Sequence, residues 1–389
     1  MRALILDVET TISNKGNPFD QTNKLCLVGL ASIDSSVEVF SIEYTDEPYK
    51  DNLNKIQKAI DNADILVGFN IKFDLHWLKR YGIVFHNKRI WDCQVTEFIL
   101  KGQQQTYPSL NGVCESYGLE TKLDEVKEEY WKNGIDTPEI PKDLLFDYLV
   151  KDVELTKEVY KKQLAVVQDN PRIRHLISLH NQDLLVLEEM EYNGILYDQD
   201  WSEVLGNELE DQIDKLNKKL YDYHNYDDFN PNSVDHLSAF LYGGTIKNKR
   251  KVLVGVYKTG DKKGQDKYQW QDYTIDMPRL VTPLKNTELA KEGLYSTDDA
   301  TLKSLKGSAK AQEVLDIIMT RSTLEKRLTT YYRGLNKLID EQHWKKGTIH
   351  GQLNQCVART GRLSSSKPNL QNFDGEIKTL FKTRYEESI

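Results

Sequence analysis

The chain has 389 residues, enough for two or three domains, and 39% hydrophobic with 10% aromatic residues supply material for their cores. A net charge of −8 excludes a globally basic protein drawn diffusely to nucleic acid or anionic membrane, though local patches can oppose the mean. Cys26, Cys93, Cys114 and Cys356 form no Cys-x-x-Cys pair and no apolar run reaches 18 residues, so a reduced, soluble, cytoplasmic protein without a membrane partner is expected.

The first strand, Ala3 to Thr11, opens with an apolar Ala-Leu-Ile-Leu run of the kind buried on both faces. Asp7 and Glu9 follow two residues apart and therefore point to one face, where their repulsion calls for a cation or a shared proton. Taken alone, the pair reads more simply as two solvated acids at the end of an edge strand, and the case for a metal rests on partners elsewhere in the chain. Strands at 25–32 and 37–44 join through a polar turn, and a helix at 52–62 precedes a strand at 65–70. The next helix, 72–81, carries Asp74 in its first turn with Asn70 just before it, a place that suits a ligand or simply the helix macrodipole. Asp92, after Ile90-Trp91, reads as structural. On a helix at 142–163, Tyr148 and Asp152 share one face, although the surrounding charges also allow a chance surface acid. Strands alternating with helices indicate an α/β domain with a mixed sheet.

Asn170-Pro171 marks a domain change and starts a helix that stops at Asn193-Gly194. Long helices are expected at 201–221 and 309–340, the second about 45 Å long at 1.5 Å per residue. Between them, Val252-Leu253-Val254 and Tyr268-Gln269-Trp270 suggest a hairpin rich in lysine, including Lys249, Arg250 and Lys251. It is either a solvated face or a grip on phosphates.

Asp-x-Glu on a first strand, Asn-x-x-x-Asp at a strand–helix junction and Tyr-x-x-x-Asp on a later helix, in that order, resemble the DEDD 3′→5′ exonucleases of the ribonuclease-H-like fold. The segment Ala358-Arg359-Thr360-Gly361-Arg362-Leu363-Ser364-Ser365-Ser366-Lys367-Pro368-Asn369-Leu370-Gln371-Asn372 resembles the start of the palm in family A DNA polymerases. Glu188 to Ile195, Phe229 to Ser233 and Tyr295 to Asp298 resemble thumb segments of the same family, leaning toward phage-type members. The resemblance implies an α/β ribonuclease-H-like (DEDD exonuclease) domain at 1–168, a mainly α-helical thumb at 169–345 with the basic hairpin inserted at about 245–285, and the first strands of a palm at 346–389.

It further implies that Asp7, Glu9, Asp74 and Asp152 bind two divalent ions, Mg²⁺ or Mn²⁺, while Tyr148 orients the attacking water and Asn70 positions substrate. Arg362 would reach the minor groove, with Arg359, Ser364, Ser365, Asn369, Gln371 and Asn372 also on DNA. The sequence contains no Asp-Tyr-Ser-Gln strand, which carries the polymerase metals in the family, and Phe373-Asp374-Gly375 departs from the usual continuation. The expectation is therefore the N-terminal half of a polymerase that binds single-stranded and primer–template DNA and needs a C-terminal polypeptide with the palm and fingers for synthesis. A self-sufficient exonuclease on DNA or RNA, or a non-catalytic DNA clamp, are the alternatives.

Overall fold

The structure, a computed structural model, describes residues 2–44, 48–122, 125–224 and 229–384. It divides into two compact units, one made of 1–199 with 335–389 and the other of 200–334.

In the first unit β1 (Ala3–Thr10), β2 (Leu25–Ser32), β3 (Glu38–Ser41), β4 (Ile65–Gly68) and β5 (Arg89–Asp92) form one mixed sheet in the order β3-β2-β1-β4-β5. β1 is its hub, antiparallel to β2 and parallel to β4. Its apolar run is buried on both faces because α-helices cover the sheet: α1 (Lys50–Asn62), α2 (Ile71–Arg80), α3 (Cys93–Leu100), α4 (Leu110–Ser116), α5 (Lys142–Val167) and α6 (Pro171–Asn193). The core runs from Ile5 and Leu6 through Leu66, Trp77 and Phe98 to Leu149 and Val153. β4 ends where Gly68 turns into α2, and a Cβ there would lie 2.7 Å from Ile71. The four cysteines are free and buried in this unit.

The helix expected before the domain change extends to Val167, and α6 begins at Pro171 with the Asn170 side chain capping Ile173 N–H at 3.1 Å. α6 packs against β5 and α2, and so it belongs to this first unit. β6 (Ile195–Tyr197) follows Gly194 and sits in a small sheet between a strand from each end of the 348–382 stretch, described below.

In the second unit, α7 (Gln199–His224), which begins at the boundary, is followed by α8 (Val234–Tyr242), the hairpin strands β7 (Gly244–Val256) and β8 (Asp266–Met277), α9 (Asp299–Ser304) and α10 (Ala309–Arg327). Phe240, Leu241, Tyr242, Ile246, Met277, Leu302 and Leu315 form its core. Buried Arg321 is held by Asn217 Oδ1 at 2.6 Å and Asn232 Oδ1 at 2.8 Å, tying α10 to α7 and to the Asn230–Ser233 turn. The long helix expected to 340 is interrupted by a π-helical turn at Leu328–Tyr332 before α11 (Arg333–Glu341). Gly334 is required there, since a Cβ would lie 2.4 Å from Thr329 O.

The first unit is completed by β9 (Thr348–Ile349), β10 (Gln352–Asn354), β11 (Ser364–Ser366), α12 (Gly375–Lys378) and β12 (Phe381–Lys382). β6 lies between β12 and β9, while β10 pairs with β11. An α/β ribonuclease-H-like domain, a mainly helical thumb and the first palm strands account for this arrangement. The last residues of the expected palm segment, 385–389, lie outside the described residues. Among the described residues, no helix is long and apolar enough to cross a membrane.

Candidate active site

Asp7 and Glu9 project from β1 toward the face covered by α5. The register shows why. Asp7 stands opposite Gly29 of β2, and a Cβ on Gly29 would lie 2.9 Å from Val153 Cγ2 and 3.0 Å from Leu149 Cγ. The glycine therefore lets α5 settle directly on the strand pair. That close approach brings Asp152, on the same helix, to the two strand acids. Ligand oxygens of Asp7, Glu9 and Asp152 all lie within 4.8 Å of one another.

Asp74 joins from the other side. β1 pairs with β4 only through Ile5, so the Val8 amide extends beyond β4. The Asp74 carboxylate accepts that N–H at 3.0 Å. Asp74 thus sits next to Asp7, with one oxygen engaged by the strand backbone. It lies outside the trio of converging ligand oxygens, so the structure places the fourth expected ligand beside the cluster. Asn70, in the left-handed region at φ 61°, makes the turn from β4 into α2. It is exposed and lines a cavity of about 350 Å³ with Phe73, Gln94, Tyr107, Gln352 and Asn354. Asp92 has the structural role expected of it: its carboxylate caps α3 at Gln94 and Val95 and accepts the Asn70 and Ile71 amides.

Lys122 is the residue that the sequence reading missed. Its ammonium donates to the Tyr148 hydroxyl at 2.7 Å, pairs with Asp152 Oδ2, and stands over the Tyr148 ring. Trp131 makes a T-shaped contact with the same ring, with centroids 5.5 Å apart. Residue 122 lies in an irregular stretch without periodicity, so nothing local signals its destination.

The charges oppose one another here. Burial, and after it the Asp152 charge, pushes the Asp7 carboxyl well above its ordinary value, against Lys122 and the Val8 amide. Burial, then Asp7 and Asp152, does the same to Glu9. Asp74 is raised by burial and then by Asp7, and the Val8 bond opposes the shift. Acids crowded in this way hold their charge only beside cations. An all-oxygen, all-carboxylate donor set of this spacing suits a hard divalent ion such as Mg²⁺ or Mn²⁺.

In the expected DNA-binding segment, Arg359 and Arg362 are exposed, while the polar residues mostly fold the loop itself. The Ser365 hydroxyl is buried, donates to Pro368 O at 3.2 Å and accepts Leu370 N–H at 3.1 Å, which removes it from the surface. Asn369 caps the turn at Gln371, whose own amide donates to Leu363 O at 3.1 Å. Ser364 lies half-buried in β11, and Asn372 is exposed. In the other unit, Lys249, Arg250 and Lys251 are exposed on β7.

Residues 2–167 match the family model for 3′-5′ exonuclease, and residues 274–388 match that for DNA polymerase family A. The two matches, in this order, make the chain similar to an N-terminal portion of family A DNA polymerases. Similar proteins include DNA polymerase I of Synechocystis, 27% identical over 78% of this chain and 26% of that protein. The DNA polymerase of Bacillus phage SP01 is 23% identical over 98% of this chain and 44% of its own length. The chain thus spans less than half of either relative. A solved structure, the POL domain of Pol1 from M. smegmatis in complex with DNA primer-template and dNTP, shares the fold at a TM-score of 0.62. It is 17% identical, and the match covers 99% of this chain and 53% of that one.

Proposed function

We propose that the exonuclease domain removes nucleotides from a DNA 3′ end by metal-assisted phosphodiester hydrolysis, and that the remaining residues hold template and primer. The convergence of Asp7, Glu9 and Asp152 within 4.8 Å carries this reading. With Asp74 beside them, these acids would hold two divalent ions, Mg²⁺ or Mn²⁺. Bound there, such ions lower the pKa of a water and offset the charge that grows on the departing 3′ oxygen.

The protein residues supply position. Tyr148, in contact with both Lys122 and Trp131, orients the attacking water through its hydroxyl, since a neutral phenol is a poor base. Asn70 and Phe73, which line one cavity together, steady the terminal nucleotides. Arg359 and Arg362 contact the duplex, and the basic hairpin meets phosphates.

A 5′-labelled single-stranded DNA incubated with Mn²⁺ tests the central claim. It should shorten from its 3′ end, Asp7→Ala with Glu9→Ala should stop the reaction, and Tyr148→Phe should leave slow residual activity. An unaffected double variant sinks the assignment, and equal rates on RNA would move it to an exoribonuclease. Primer extension draws on the Asp-Tyr-Ser-Gln strand and the fingers, which must be supplied by further chain, joined or separate. A polypeptide beginning at that strand, mixed with this one, should restore extension.

A further inference from the structure

The hairpin of the thumb unit leaves its core halfway along. At the root, Ile246, Ile275 and Met277 are buried. Beyond Lys249 and its partner Asp272, neither face of the ribbon is covered within its own unit. The register there is continuous: Lys249 faces Asp272, Lys251 faces Trp270 and Leu253 faces Tyr268. Side chains alternate across a strand, so these six residues lie on one face. Trp270 is 61% exposed, Leu253 54% and Tyr268 53%. The Lys251 ammonium stands 5.4 Å from the Trp270 ring centre, and Lys249 pairs with Asp272 at 3.7 Å. On the opposite face the Arg250 guanidinium covers Tyr273 at 5.3 Å.

Two large aromatic rings left in water two residues apart on one strand are a cost that folding alone does not explain. Their surroundings narrow the occupant. From Gly244 to Met277 the ribbon carries eight lysines and arginines against four aspartates, a local +4 in a chain of net −8. An apolar protein partner or a lipid tail needs no such cations beside the rings. A polyanion whose units also present flat π-faces needs both.

We infer that this face of the ribbon is a binding platform for single-stranded DNA, with bases stacked on Trp270 and Tyr268 and phosphates beside Lys249 and Lys251. The inference rests on the reading that this chain acts on DNA. It adds a site outside the exonuclease domain, selective for the unpaired strand: stacking requires an exposed base face, whereas lysine–phosphate contact does not. Stacking is indifferent to sequence, as a replication protein requires.

The experiment uses the whole chain in EDTA, so that hydrolysis plays no part and failure of the exonuclease reading is scored separately in the metal-dependent assay. Fluorescein-labelled dT20 and a 20-base-pair duplex are titrated by anisotropy at several salt concentrations. Trp270→Ala with Tyr268→Ala should weaken dT20 binding by about tenfold or more, change duplex binding less than twofold and keep the salt slope. Trp270→Phe with Tyr268→Phe should retain most of the affinity. Lys249→Glu with Lys251→Glu should weaken both ligands and lower the single-strand slope by about 0.7 per phosphate contact. The core anchors are untouched, so the melting temperature of each variant verifies folding. Equal loss on both DNAs in the double alanine variant would reduce the ribbon to a phosphate grip, and no loss on either would assign the rings to a protein partner. Either result overturns the inference.

Discussion

At the scale of single residues, Lys122 is the side chain that changes the account of the acidic site. Its side chain and that of Asp152 are each only 12% exposed, and its ammonium lies where a cation must be if Asp7, Glu9 and Asp152 are to stay charged. A lysine so placed and a divalent ion compete for the same oxygens. Replacing it with a neutral chain of similar length, Lys122→Met, should destabilise the metal-free protein by about 3 kcal/mol, because breaking a buried pair leaves an acid uncompensated. The same variant should bind Mn²⁺ about tenfold more tightly, the scale of one charge-assisted bond that no longer competes. Calorimetric titration with Mn²⁺ and melting in EDTA check both halves. Unchanged affinity together with an unchanged melting temperature would leave the lysine without this part.

Among the elements, the seat of α5 on β2 decides whether the site exists at all. Asp152 reaches β1 because Gly29 offers no side chain between the helix and the sheet. Gly29→Ala would place a methyl group against Val153 and Leu149, both fully buried, in a core with no slack. The expected loss is about 1–3 kcal/mol from overpacking. Moving the helix also moves Tyr148 and Asp152, so 3′→5′ hydrolysis should fall by more than the lost stability explains when both are measured well below the melting temperature. A variant that is destabilised but fully active would show that α5 tolerates the shift.

For the molecule as a whole, the first unit is stitched from two distant parts of the chain by buried polar groups. Glu191 of α6 receives Lys72 Nζ at 2.6 Å and His76 Nε2 at 2.9 Å, and Lys72 also donates to Leu353 O at 2.6 Å. His350 stacks on Phe19 with ring centres 4.1 Å apart, meets Trp344 edge-on, and lies 2.9 Å from Glu191 O through Nδ1. Burial holds His350 down to about 4, assisted by His76 and Arg384 and opposed by its bonds to Glu191. A histidine that is harder to protonate when folded stabilises above its unfolded value of 6.5, and that stability is lost as pH falls from 6.5 to about 4. The loss should approach about 3 kcal/mol at the lower end. Urea midpoints across this range should fall for the parent and stay flatter for His350→Gln. Burial opposes ionisation of Glu191, yet the His76 and Lys72 contacts hold it below its ordinary value. Its contribution therefore disappears only below about pH 4.5, a separate window.

Local pattern was sufficient for much of this. The apolar run before Asp7, the two-residue step to Glu9 and the four-residue step from Tyr148 to Asp152 determine which faces the acids share, because strand and helix periods are fixed by backbone geometry. The Asn170-Pro171 start and Asn193-Gly194 stop of α6 were legible for the same reason. Other features depend on contacts that no period encodes. Lys122 enters the cluster from an irregular stretch, Asp74 finds the Val8 amide only because β4 is short, and Ser365 turns inward although its segment reads as surface. Likewise α6 reads as the first thumb helix, yet Glu188 and Glu191, charged residues on its sequence, are buried against His76 and Lys72 of the first unit. Charge alone marks a residue as exposed; only the partner brought up by the fold makes its burial affordable, and partners more than a hundred residues away are chosen by tertiary packing.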